Sequence, residues 1–229
     1  MSTPFVLASG SPARLTTLRA AGIEPRVVVS DVDEDAALAD AERAAGAPLP
    51  VGDQALLLAR AKAEAVAARI SPAADGDASP AEATPSSSLV LGCDSILELA
   101  GASYGKPGTV DVARERWQAM RGRTGVLHTG HWLIAASEEA RASGPGRAVG
   151  GTSATLVEFA DVDDDELEAY LATGEPLAVA GAFTIDGLGG AFVTRIEGDH
   201  HGVVGLSLPL LRGLVRELGL AYPDLWEHR

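Results

Sequence analysis

Leu89 to Pro107 reads LVLGCDSILELAGASYGKP, and the chain is organised around it: a buried strand ends in the carboxylate of Asp94, and Lys106 follows shortly after. Leu89-Val90-Leu91 is a short apolar run bounded by turn-forming residues, the pattern of a strand inside an α/β sheet. Gly92 permits the backbone to bend or a ligand to approach. This reading delivers Asp94 at the end of the strand. Ile96 to Leu99 then reads as a second strand and Gly101 to Gly105 as its turn, with Lys106 held before the rigid Pro107. An acid and a base thus share one hairpin. A carboxylate holds a divalent cation or takes a proton from water, and an ammonium offsets phosphate charge, so the pair suits a polyphosphate. The same spacing also describes an exposed hairpin with a surface ion pair.

Around this stretch, 229 residues suffice for one large domain or two small lobes with a sizeable core. No run approaches the roughly 20 apolar residues that span a bilayer. The opening MSTPFVLASGSPAR lacks a basic segment before its apolar run, so the run reads as a strand and the protein as soluble and cytoplasmic. A formal charge of −14 argues against broad binding to nucleic-acid backbones, so any phosphate site must be local. Cys93 is the only cysteine, which excludes an internal disulfide and a multi-cysteine zinc site; it reads as a small buried residue. Two lysines, Lys62 and Lys106, stand against sixteen arginines. A flexible point charge does what a planar fork does not, so both are candidates for a site.

Phe5-Val6-Leu7 reads as the first strand. Ser11 follows as a helix N-cap and Pro12 as its first residue, with Leu15 and Leu18 as the apolar stripe and Gly22 as the stop. The free N–H groups of that helix start, with Ser9, Ser11 and Arg14, make an anion cradle or an ordinary capped βα unit. Arg26 to Ser30 reads as a strand running into the acidic loop 31–35, and Asp53 to Ile70 as a helix carrying Lys62. Residues 71–88 are rich in Ala, Pro, Ser, Gly and Asp and read as a disordered low-complexity insertion. Beyond the quoted stretch come a helix over 111–120, a strand over 124–136, a hairpin tip over 137–151 and a strand over 152–159. Asp163 with Glu166 forms a capping-box pattern for a helix reaching Leu171. Residues 174–190 are glycine-rich and irregular, a strand covers 191–196, and a last helix covers 209–218. His200 and His201, in an extended segment, would diverge and chelate poorly.

Assembled in order, these segments resemble the Maf family of nucleoside triphosphate pyrophosphatases, also described as septum-formation proteins. LASGSPARLTTLRAAG is similar to the family's opening Ser-x-Ser-Pro-Arg-Arg helix, DVDED to its acidic turn, and LARAKAEAV to its Leu-Ala-x-x-Lys-Ala helix. LGCDSIL resembles its Gly-Ala-Asp-Thr, YGKP its Lys-Pro turn, and TGEPLAVAGAFTIDGLGGAFV with GDHHGVVGLSL its C-terminal pattern. The resemblance implies catalytic and metal-holding acids at Glu34 and Asp94, phosphate-binding lysines at Lys62 and Lys106, and a phosphate-facing turn at Ser9, Ser11 and Arg14. Composition and resemblance select the same two lysines. At positions the family associates with base choice, this chain carries Ala13 for arginine, Ser95 for threonine and Asp186 for glutamine. Val179 replaces a further family lysine.

The implied fold is α/β, a two-lobed Maf/ITPase-like arrangement in one domain over 1–229, with a mixed twisted sheet flanked by helices and a central substrate cleft. The implied reaction hydrolyses a nucleoside triphosphate to a monophosphate and pyrophosphate with Mg²⁺ or Mn²⁺, with no nucleic-acid or membrane partner; a homodimer is left open. Two other readings compete: a non-enzymatic nucleotide-binding regulator of septum formation, and a metal-dependent phosphatase releasing orthophosphate. Both lysines are expected to be cleft residues whose replacement leaves thermal stability unchanged.

Overall fold

A single strand of 13 residues, β3 (Ser87–Leu99), runs through the quoted stretch in the computed structural model, which describes residues 3–70, 87–137 and 147–227. On one edge of β3, β1 (Phe5–Leu7) lies parallel with Leu7 opposite Leu91, and β4 (Ala102–Tyr104) lies antiparallel with Leu97 opposite Tyr104. On the other edge β5 (Thr124–Ser137) pairs antiparallel from Ser87 to Glu98 without a break. β6 (Ala148–Phe159) and β7 (Val193–Glu197) continue the sheet beyond β5, and β2 (Arg26–Val27) closes the far side beside β1. The result is an open, mixed sheet of seven strands in the order β2-β1-β3-β5-β6-β7, with β4 added to β3.

This corrects the hairpin reading. Asp94 lies within β3, opposite Gly130, and Ile96 to Leu99 belong to the same strand. Continuous pairing with β5 carries the chain straight past Gly92, and the real turn comes only at Ala100 and Gly101, both with positive φ. Ser87 and Ser88 open β3, so the expected insertion is shorter at its end; residues 71–86 lie outside the described residues, as do 138–146 of the expected hairpin tip. β6 already begins at Ala148.

Helix ends follow local chemistry. In α1 (Pro12–Ala20) the Ser11 side chain accepts from the Arg14 N–H, and in α5 (Asp164–Ala172) Asp163 and Glu166 complete the capping box. The acidic loop of the sequence reading is instead the start of α2 (Glu34–Ala45). Asp33 caps it by accepting from the Ala36 N–H at 3.0 Å, and Glu34 and Asp35 occupy the first turn, where the helix dipole favours anions. The remaining helices are α3 (Val51–Arg69), α4 (Val110–Met120), α6 (His200–Val204) and α7 (Leu208–Glu217). No helix among the described residues is long and apolar enough to cross a membrane.

The core is divided along the β3–β5 ribbon. At one end Leu97, Leu99, Leu127 and Phe159 pack with Trp117, whose indole meets Phe159, Tyr170 and Phe192 edge to face. At the other, Leu89, Leu91, Cys93 and Leu133 pack against α1 and α7, while Val90 on the opposite face packs against Ala63 and Val66 of α3. Asp94 falls between the clusters on the α3 face, in a stretch of β3 where β1 has ended and β4 has not begun.

Candidate active site

Two glycines bring α3 down onto the sheet. A Cβ on Gly92 would lie 2.1 Å from the Ala59 carbonyl oxygen, and one on Gly130 would lie 2.3 Å from that of Ala55. Only bare backbone permits such contact. Gly92 therefore seats the helix rather than bending the strand. This close seating lets Lys62 of α3 reach Asp94: Nζ donates to Oδ1 at 2.5 Å, and the Glu34 Oε1 of α2 lies 2.8 Å from the same nitrogen. Lys62 and Asp94 are each 6% exposed, so the pair is a buried one. Lys62 is thereby a packed, doubly paired cation at the edge of the cleft.

The environment drives the two carboxyls apart. Burial, with a smaller push from Glu34, holds Asp94 above its usual range despite the opposing charges of Lys62 and Arg14. Burial also raises Glu34, but the Lys62 hydrogen bond and charge, with Lys106 and Arg14 behind them, outweigh it and hold Glu34 below its usual value. One acid therefore has the stronger proton affinity and the other remains anionic, a division suited to proton transfer beside charge binding.

Among the described residues no group of three or more His, Cys, Asp or Glu is gathered as for a metal ion. Glu34 and Asp94 nevertheless address one point, the Lys62 ammonium. Each carboxylate spends one oxygen on that ammonium, and the second oxygens, Glu34 Oε2 and Asp94 Oδ2, are hard donors of the kind that would suit a Mg²⁺-like ion.

The opening turn faces the same cleft. Arg14 is locked: Nη1 donates to Ser9 Oγ at 3.0 Å, Nη2 to Ser95 Oγ at 3.1 Å, and Nε to the Gly205 carbonyl at 2.7 Å. Because Thr129 Oγ1 donates to the Gly202 carbonyl at 2.8 Å, the 2.9 Å contact between Ser95 and Thr129 has Ser95 as donor. Ser95 thereby keeps a lone pair for Arg14. Sequence reading assigned Ser95 to base choice; the hydroxyl is engaged in orienting the guanidinium.

Ser9, Arg14, Glu34, Lys62, Asp94 and Ser95 line one cleft of about 820 Å³, together with Ser11 and Ala13 at the start of α1 and with Lys106, Val179 and Asp186. Lys106 differs from Lys62: it is exposed and, among the described residues, has no hydrogen bond or ion pair. Sequence reading missed Phe183, Thr184 and Glu175, which also line the cleft. The Gly-rich composition of 174–190 marked the segment as special but gave no sign that Glu175 collects its hydrogen bonds.

Other candidates fall elsewhere. Cys93 is fully buried and burial pushes its thiol up to about 12, which leaves it inert. His200 and His201 open α6 and are not in an extended segment; their rings meet edge to face at 5.7 Å. His131 is buried, donates from Nδ1 to the Thr129 carbonyl at 3.0 Å, and accepts the Ser207 N–H at 2.8 Å. It ties β5 to the start of α7.

The chain matches the family model described as "Maf-like protein" over residues 4–218. A Leifsonia xyli subsp. xyli protein named nucleoside triphosphate pyrophosphatase is 54% identical over 220 residues, spanning 96% of this chain and 95% of its own. One from Salinispora tropica with the same name is 52% identical, spanning 97% of this chain and 87% of its own. Another from Streptomyces coelicolor, again so named, is 48% identical, with 97% and 94% spanned.

Proposed function

The chain belongs to the family of Maf-like proteins, and on that premise we propose that it is a nucleoside triphosphate pyrophosphatase, converting a nucleoside triphosphate and water to a monophosphate and pyrophosphate. The observation that carries the residue assignments is the convergence of Ser9, Arg14, Glu34, Lys62, Asp94 and Lys106, drawn from separate elements, on one cleft. Three cations in a chain of net charge −14 are concentrated where a polyanion needs them.

Water attacks the α-phosphorus, the bond from that phosphorus to the α,β-bridging oxygen breaks, and pyrophosphate leaves. Asp94 accepts the proton of the attacking water, a role suited to a carboxyl whose proton affinity is raised. Lys62 holds the Asp94 carboxylate in place and offsets charge as the phosphoryl group is transferred. Arg14, pre-aimed by Ser9, Ser95 and Gly205, and Lys106, with its ammonium unengaged, take phosphate oxygens, together with the N–H groups opening α1. Glu34 and Asp94 would hold a Mg²⁺ or Mn²⁺ ion, which supplies charge neutralisation on the phosphate oxygens when bound.

The test is a product assay across ordinary, methylated and deaminated nucleoside triphosphates, with and without divalent metal. Pyrophosphate with monophosphate supports this reading. Orthophosphate as the released anion overturns it, and so does nucleotide binding without turnover.

A further inference from the structure

The Glu175 carboxylate lines the cleft but spends its hydrogen bonds on the protein itself. Oε1 accepts from the Tyr170 hydroxyl at 3.1 Å, from the Thr184 hydroxyl, and from the Gly189 N–H at 2.9 Å; Oε2 accepts from the Leu188 N–H at 3.0 Å. The chain from Thr184 to Gly189 is thereby wrapped around one carboxylate. Glycines make the wrapping close: a Cβ on Gly187 would lie 2.7 Å from Glu175 Oε2, and one on Gly189 would lie 2.4 Å from the Tyr170 hydroxyl. An acid so fully engaged has little left to offer a substrate directly. Its consequence lies with Asp186, which sits in the middle of the wrapped segment, is exposed, and lines the cleft.

This wall bears Glu175, Asp186 and the apolar Val179 and Phe183, and the Lys106 loop is bonded to it where the Gly181 N–H donates to the Gly105 carbonyl and the Gly108 N–H to the Leu177 carbonyl, whereas Arg14 and Lys62 come from other elements. The exposed Asp186 carboxylate repels phosphate, so what it meets is the uncharged end of a nucleotide. An ionised carboxylate only accepts hydrogen bonds, so Asp186 favours a base edge that presents N–H groups.

We propose that Glu175 is a positioning residue for substrate selection: by holding Thr184, Leu188 and Gly189 it fixes where Asp186 faces the cleft, and so sets the preference for bases with a free N–H edge. This rests on the nucleotide reading above. Loss of the hub frees the segment, and binding of the base end weakens while the proton transfer at Asp94, on a different element, is largely kept. The effect belongs in KM and in the choice between bases more than in kcat.

The experiment compares wild type, Glu175→Ala, Glu175→Gln, Asp186→Ala and the Glu175→Ala/Asp186→Ala double variant. Each is assayed by steady-state pyrophosphate release and by equilibrium nucleotide binding, using triphosphates with a free N–H edge beside their N-methylated counterparts. The expected result for Glu175→Ala is a KM raised roughly tenfold, a kcat changed by less than about threefold, and a preference between parent and methylated bases reduced to near parity. Asp186→Ala gives the same loss of preference, and the double variant adds nothing to it. A fall in kcat at unchanged KM, an unchanged preference, or additive losses overturns the proposal. Should Glu175→Ala fail to fold, Glu175→Gln and Thr184→Val each remove part of the hub and show the same shift in smaller degree; an unchanged preference in both overturns it. If wild type releases no pyrophosphate, the reaction above is wrong, and the binding preferences alone then decide the role of Glu175.

Discussion

The two walls of the cleft are built by opposite means. Asp94 and Lys62 stand on a strand of 13 residues and a helix of 19, pressed together where two glycines leave room for nothing but backbone. The wall over 174–190 has only short 3-10 turns, and its stretch from Thr184 to Gly189 draws its shape from the hydrogen bonds of one carboxylate. Regular elements hold reacting groups to the fraction of an ångström that proton transfer demands. A wrapped loop, by contrast, changes shape with a few residues, which suits the part of a site that distinguishes one substrate from another.

The sharpest test of this contrast is Asp94→Asn. If the rigid wall carries the chemistry, turnover falls at least roughly a hundredfold in a protein that still folds, because the Lys62 ammonium keeps its ion pair with Glu34. Near-normal turnover in the folded variant would remove Asp94 from the reaction and erase the contrast.

Lys62→Ala probes the same wall through stability. It leaves Asp94 buried without its ammonium, and breaking such a pair costs about 3 kcal/mol. The loss should shrink at low pH, where Asp94, already raised, takes a proton. Denaturant unfolding at several pH values measures this. A variant as stable as wild type at neutral pH would mean that the pair contributes little to the scaffold.

A third effect comes from the scaffold behind the wall. Burial lowers His131 from 6.5 to about 4, so the unfolded chain binds a proton between those values that the folded one does not. Stability is then full above about 6.5 and declines as pH falls towards 4, by up to about 3 kcal/mol. His131→Gln should be less stable at neutral pH yet lack this slope. If both proteins lose stability alike across that window, some other group is responsible.

Lys106→Ala gives the smallest change. Its ammonium is exposed and unengaged, so KM should rise roughly tenfold with no shift in the melting curve. A lowered melting temperature would show that the two lysines are alike after all.

What the sequence made legible was local. Ser11 at the start of α1, the Asp163–Glu166 box, and the two lysines of an arginine-rich chain are each visible within a few residues or from composition. α2 was legible in principle, since Asp33 before a run of Ala and Glu and Gly46 after it are ordinary helix boundaries, but the acids drew the reading towards a loop. The position of Asp94 was not legible, because it depends on β5 pairing across the whole of β3. Nor was the bond from Ser207 to His131, whose partners lie 76 residues apart. Glu175 shows the same limit: its donors are the Tyr170 side chain before it and the Thr184 side chain with two backbone groups after it, and no spacing rule joins them.

The bond from Arg14 to the Gly205 carbonyl crosses 191 residues. On the ribosome, the guanidinium is among the first parts of the cleft to emerge, and the carbonyl that aims it is among the last. Until Gly205 has cleared the exit tunnel, a nascent chain holds Asp94 and Lys62 but cannot fix Arg14 against them. The aim of Arg14 is therefore the last part of the cleft to be set, completed only when nearly the whole chain has been made.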